Sequence, residues 1–290
     1  MLSRVNRMGV SSWATHAHID AVSLSPIGAF ARAHDPDRFL CALFAPAERR
    51  ESVFALIAFN HELARAREAA TNPMAALIRL QWWRDAIEEA RAGRPARRHE
   101  VAGPLHGAVT AGALDPDALI DLVDAREAET EEDGFATEQD FVTWLRGTAG
   151  GWSAVAGRAL GADAEAAEVL RALGAAYGLA GVLRSVGAHA AQGRCLLPRD
   201  RLAAAGLRAE EVIADPQAAG PGAVLRAMAA DGLDALASAR RDLPSGVVAA
   251  ALPVVLARRD LRRIAHGHAV PMRGLGDRLA VSCAGLRHRV

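Results

Sequence analysis

Glu62, Arg65 and Glu68 stand three residues apart. On a helix such residues are neighbours, and the plainest chemistry they offer is an ion-pair ladder. Asp117 and Asp121 are four apart, the spacing at which two carboxylates can point at one divalent cation. That spacing is also common on solvated helix faces, and the pair reads as such a face. Gly151-Trp152-Ser153-Ala154-Val155 lacks the last glycine of a nucleophile elbow, so Ser153 reads as a small packing residue beside Gly147, Gly150 and Gly151. Gly274-Leu275-Gly276 is not followed by the third glycine of a dinucleotide loop. His16/His18 and His266/His268 are two apart, which points them nearly oppositely on a helix, and neither pair makes a metal site alone.

The elements that must position these groups read as helices. The chain has 290 residues, 51% of them hydrophobic with only 4% aromatic, and it is rich in alanine and leucine. Such a composition gives one large all-α domain a sizeable core. All 34 basic residues are arginine, which excludes Schiff-base chemistry and a P-loop lysine. Formal net charge is zero, so nothing marks a nucleic-acid partner. Cys41, Cys195 and Cys283 lie far apart, an odd set that predicts neither a disulfide framework nor a zinc site.

Residues 1–33 lack a clear period and are expected to form a loose arm, with the domain over 34–290. The arm shows no apolar signal core, and the apolar run Val247 to Ala257 is too short to span a bilayer, so a cytoplasmic protein is expected. Asp35-Pro36, Asn72-Pro73 and Asp115-Pro116 are helix starts, and Thr137 to Asp140 resembles a capping box. Helices are predicted near 35–45, 48–70, 73–92, 116–130, 138–160, 165–191, 217–241, 246–266 and 272–287. Residues 91–103 and 193–222 read as irregular connections.

Two segments carry a resemblance. Ala45 to Arg84 resembles the first signature region of the squalene/phytoene synthase family, with Ala58-Phe59-Asn60-His61 in the place of that family's Ala-Phe-Cys-Arg. Tyr177 to Leu202 is similar to the second, matching at Leu183-Arg184, Val186, Gly193-Arg194 and Leu197-Pro198. The resemblance implies an isoprenoid-synthase-like helical bundle around a central cavity. In such enzymes carboxylates on facing helices hold the magnesium that neutralises a prenyl diphosphate. Here the first three acid positions fall on Ala64, Arg65 and Glu68, and the second three on Ser185, Ala188 and His189. One acid of six is kept, so the resemblance implies no catalytic residue, no metal and no cofactor.

Ala47 to Leu56, Ala58-Phe59-Asn60, Glu62-Leu63-Ala64, Arg79 to Trp83 and Val123 to Glu127 resemble the branch of that family that assists assembly of respiratory complex I. The partner this implies is a complex I subunit or assembly intermediate, with an isoprenoid or lipid as an alternative ligand. Arg79, Arg184 and Arg194 sit beside signature positions and could surround the cavity as an anion site, with pairing to Glu62, Glu68 or Asp85 as the plainer role. Of the adjacent Trp82 and Trp83, one is expected in the core and one at a rim, where Trp82 could meet an isoprenoid tail. Arg258, Arg259, Arg262 and Arg263 form a stripe that reads as solvated, with peripheral docking on anionic lipid as the alternative. The sequence therefore points to a non-catalytic binding protein. An atypical prenyltransferase using Asp117/Asp121 or the arginines, and an isoprenoid carrier, are the other readings.

Overall fold

A computed structural model describes residues 24–70, 72–131, 134–239 and 243–290; the greater part of the expected arm and the His16/His18 pair lie outside them. No strand occurs among the described residues. The chain begins with α1 (Pro26–His34), α2 (Pro36–Ala42), α3 (Ala47–Glu68) and α4 (Pro73–Arg91). The expected arm is thus too long: Ser25 accepts a hydrogen bond from the Gly28 N–H at 3.1 Å, and α1 packs on α3. The apolar residues Ile27 and Ala31, four apart, give α1 a buried face.

The four cap signals act as read. The side chains of Asp35, Asn72, Asp115 and Thr137 accept from the backbone N–H groups of Arg38 (2.9 Å), Ala75 (2.9 Å), Asp117 (3.0 Å) and Asp140 (3.1 Å). Each satisfies a donor that the helix itself leaves free. The run 91–103 ends sooner than expected, in α5 (Ala102–Thr110), followed by α6 (Pro116–Ala125) and a 3-10 turn over Glu127–Thr130.

The segment read as one helix over 138–160 is three pieces. α7 (Glu138–Leu145) passes through a π-helical turn (Arg146–Gly150) into α8 (Gly151–Ala159). The long α9 (Ala164–Ala191) forces this, since it lies so close that a Cβ on Gly150 would stand 2.6 Å from the Arg171 carbonyl oxygen. Gly174 of α9 answers in kind, as its Cβ would meet Ser153 Oγ at 2.4 Å. Ser153 is buried, which fits its reading as a packing residue.

The stretch 193–222 holds α10 (Arg199–Ala204) and α11 (Ala209–Ala214), and α12 (Ala219–Ser238) follows. α13 (Val248–Ala251) and α14 (Pro253–Ala265) replace one expected helix, with Pro253 starting α14 at its first position. α15 (Leu275–Leu286) ends the fold. α9 is the central element, packed by α8, α12 and α14. Its length and apolar composition would suffice for a membrane span, yet half of its most apolar stretch is buried within the fold. α3 runs beside the core with every residue from Val53 to Asn60 buried, as a helix apolar on all sides should be. Buried Trp152 of α8 fastens to it, donating from Nε1 to the Leu56 carbonyl at 3.2 Å.

Candidate functional site

The two signature segments face each other. Ala64, Arg67 and Glu68 share one face of α3, and Gly181, Ser185 and His189 recur every four residues along α9. Between them lies a cavity of about 200 Å³, lined also by Arg126, Glu129, Trp144, Val182, Arg194 and Leu196. The spacing therefore aims these positions at one space, which Ala64, Glu68, Ser185, His189 and Arg194 all line.

One wall of the cavity is a closed polar network. Glu129 Oε1 accepts from Arg126 Nη1 (2.6 Å) and from the Trp144 indole N–H (2.9 Å). Arg126 Nη2 also donates to the Oδ1 of buried Asn60 at 2.9 Å. Arg194 Nη2 donates only to the Glu129 carbonyl oxygen at 3.2 Å, so its charge has no carboxylate partner among the described residues. Burial pushes the Arg194 guanidinium below its ordinary range, and the charge of Arg67 adds to that, against Glu129 and Glu68. Burial and the Arg194 charge likewise lower the His189 imidazole.

Several residues expected at this cavity are elsewhere. Arg65 leaves α3 on another face and lies 3.7 Å from Glu62, which makes half of the expected ladder, since Glu68 turns to the cavity. Arg65, Arg79 and Trp82 line a separate pocket of about 280 Å³ with Ile78, Trp83 and His99. Arg79 donates to the Ala69 carbonyl at 3.3 Å rather than to an acid. Trp83 is buried and Trp82 half-buried, ring against ring at 4.9 Å, as adjacent helical residues must divide. His61 stacks near His34, with ring centroids 4.3 Å apart. Ala188 is exposed and does not line the cavity.

Arg184 points away altogether, toward α14. Its Nη1 lies 3.3 Å from Asp260 Oδ2, and that carboxylate, fully buried, also takes two bonds from Arg273 (2.7 and 2.8 Å). Arg273 in turn reaches Asp37 of α2 at 2.7 Å. Asp85 is met by Arg97 at 3.6 Å, so none of Arg79, Arg184 or Arg194 takes the acid partner expected for it. Asp117 is exposed and pairs with Arg91, and Asp121 is exposed, which is the solvated face foreseen. Arg67, Arg126, Glu129 and Trp144 were not singled out as site residues. Arg67 follows Ala64 by three residues and is separable on periodicity alone; Glu129 lies in a turn with no period to read.

The architecture is that of isoprenoid-synthase-like helical folds. A dehydrosqualene synthase structure superposes with a TM-score of 0.75 over 90% of this chain and 94% of that one, at 15% identity. The squalene synthase HpnC from Alicyclobacillus acidocaldarius gives 0.61 over 90% and 92%, at 17% identity. Likeness at such low identity establishes the fold alone. The squalene/phytoene synthase family model matches residues 31–283, and the chain belongs to that family. In a shorter stretch it is similar to proteins named NADH dehydrogenase (ubiquinone) complex I, assembly factor 6. That of Homo sapiens is 32% identical over 117 residues, 40% of this chain and 35% of that protein; that of Bos taurus is 31% identical over the same length. The matched stretch thus spans about a third of these curated relatives.

The magnesium that such a fold implies does not fit these residues. Of the two carboxylates at the cavity, Glu129 is committed to Arg126 and the Trp144 indole. That leaves Glu68 facing the guanidiniums of Arg67 and Arg194, whereas a magnesium ion wants several oxygen ligands and is repelled by fixed cations. Among the described residues no three metal-binding side chains cluster anywhere.

Proposed function

We propose that this protein acts by binding rather than by catalysis, in the assembly of respiratory complex I. The observation that carries this reading is the cavity itself. Ala64, Ser185 and His189 stand where a diphosphate-ionising enzyme needs acids, and Arg67 and Arg194 bring positive charge to the place of the metal. The similarity to assembly factor 6 proteins supplies the biological direction, and the partner is an immature subunit or subassembly of that complex.

The work belongs at the membrane surface on the cytoplasmic side. The arginine stripe is not what supports this, since Arg259 bonds Asp277 at 2.7 Å and Arg263 lies 3.8 Å from Asp260. Support comes instead from α15 and the turn before it, where Met272, Leu275, Leu279 and Leu286 are exposed at helical spacing. Exposed Arg278 and Arg287 flank them, the combination that an anionic bilayer surface receives.

The test is removal of the gene from its host. Loss of NADH:ubiquinone oxidoreductase activity with accumulation of partial complexes is the expected result, restored by the intact chain. Purified protein given farnesyl or geranylgeranyl diphosphate with magnesium should form no head-to-head product; turnover would overturn the non-catalytic reading. Normal complex I in the deletion strain would overturn the assembly role.

A further inference from the structure

We infer that the cavity between α3 and α9 is a metal-independent site for a phosphate dianion, held by Arg67 and Arg194 with Ser185 and His189 as neutral partners. It goes beyond the assembly role and does not depend on it. The first ground is charge left over. Among the described residues neither Arg67 nor Arg194 is paired with a carboxylate, and Arg67 Nε is buried without any hydrogen bond. A guanidinium offers five donors in a planar fork, and buried ones are costly to leave unused. Arg126 and Glu129 cancel each other at 2.6 Å, which leaves two cations against Glu68 alone. A dianion meets the surplus, with charge-assisted bonds that Arg is shaped to give bidentately.

Size is the second ground. At about 200 Å³ the cavity falls below the roughly 300–1,000 Å³ typical of pockets for drug-sized ligands, which suits an ion and not a prenyl chain. Exposed Gly181 of α9 lies at its rim, where an added Cβ would meet nothing within 4 Å. The Arg194 guanidinium is depressed first by burial and then by the charge of Arg67, and a dianion would offset the second.

A free phosphate or phosphate ester and the phosphate of a lipid headgroup share this chemistry, and the experiment separates them. The intact chain is titrated calorimetrically with inorganic phosphate in EDTA and again with magnesium, then with vesicles of phosphatidic acid in phosphatidylcholine. Saturable phosphate binding that magnesium does not strengthen is expected. Arg67→Met and Arg194→Met, which keep the aliphatic stem, should each weaken it about ten-fold or more. Gly181→Leu fills the cavity on a helix that gains propensity, so it should fold and still lose binding. Arg65→Gln, on another face of α3, should bind as the parent does. Vesicle binding that falls in parallel with phosphate binding assigns the anion to a headgroup, and vesicle binding that Arg67→Met leaves unchanged assigns it to a soluble phosphate. The inference is overturned if phosphate does not bind at millimolar concentration. It is equally overturned if binding requires magnesium, or if both methionine variants and Gly181→Leu bind like the parent.

Discussion

Two charge clusters in this fold, one centred on a fully buried acid and one half-buried, are built on opposite plans. At the junction of α2, α9, α14 and α15 one carboxylate, Asp260, is surrounded by Arg184, Arg263 and Arg273, with Asp37 answering Arg273 behind it. At the cavity between α3 and α9, Arg67 and Arg194 have no such centre. The first cluster holds helices together, since Asp260 and Asp37 take Arg273 in direct bonds and Asp260 draws in Arg184, although Arg263 Nη1, 3.8 Å from Asp260, is buried without a hydrogen bond. The second leaves positive charge facing a space, which adds nothing to stability and is useful only to something that enters. Arg184 and Ser185, adjacent in sequence, serve one cluster each.

The largest effect that would break this comparison is loss of the Asp260 centre. Asp260→Ala leaves the Arg273 and Arg184 guanidiniums facing a buried gap, and removal of one partner from such a network typically costs about 3–5 kcal/mol. Chemical denaturation should show that loss. A change under about 1 kcal/mol would mean that the cluster is solvated and that the two regions are alike. Arg184→Gln removes a weaker contact, 3.3 Å from an acid that keeps Arg273 at 2.7 Å. It should cost only about 1 kcal/mol and leave phosphate binding intact, because Arg184 does not reach the cavity.

Both clusters show where sequence reading stops. The caps at Asp35, Asn72, Asp115 and Thr137 were legible because each is made by a side chain and backbone within three residues. The positions lining the cavity were legible as far as a helical period reaches, from Ala64 to Glu68 and from Ser185 to His189. What was misplaced shares a cause: Arg79, Trp82 and Arg184 sit beside signature residues, but the next residue on a helix points about 100° away. The π-helical turn at Arg146–Gly150 answers the close approach of α9, a tertiary fact with no local signal. α5, short and interrupted by Gly103, Pro104 and Gly107, has almost no propensity to read.

The cavity arginines should respond in the opposite sense to Asp260. Arg67→Met removes a guanidinium whose Nε is buried without a hydrogen bond, together with the repulsion it exerts on Arg194. Stability in phosphate-free buffer should stay level or rise by up to about 1 kcal/mol. Phosphate should then raise the melting temperature of the parent more than that of the variant at the same concentration, because stabilisation by a ligand follows its concentration relative to its dissociation constant. A loss comparable to that of Asp260→Ala would show that Arg67 has a structural partner and that the contrast between the clusters is false.

The smallest effects are in pH, where the two regions titrate in different windows. Burial pushes the Asp277 carboxyl up, but hydrogen bonds from Arg259 and the Gly274 N–H, with the charges of Arg259 and Arg273, outweigh it and hold the group below its ordinary value. A depressed acid contributes stability above its unfolded value, and that contribution disappears as pH falls through the folded one, so this end of the molecule weakens only in acid, below about pH 4. His189 is depressed by burial and by Arg194, against Glu68 and Glu129, so the unfolded chain takes up its proton first. That share of stability is already being lost as pH falls below about 6.5. NMR titration of the imidazole reads it directly, and His189 should titrate below a free histidine. Adding phosphate should raise it, because an anion beside Arg194 screens the cation that holds it down. An unchanged His189 titration in saturating phosphate would place the anion outside this cavity, even if calorimetry had found one.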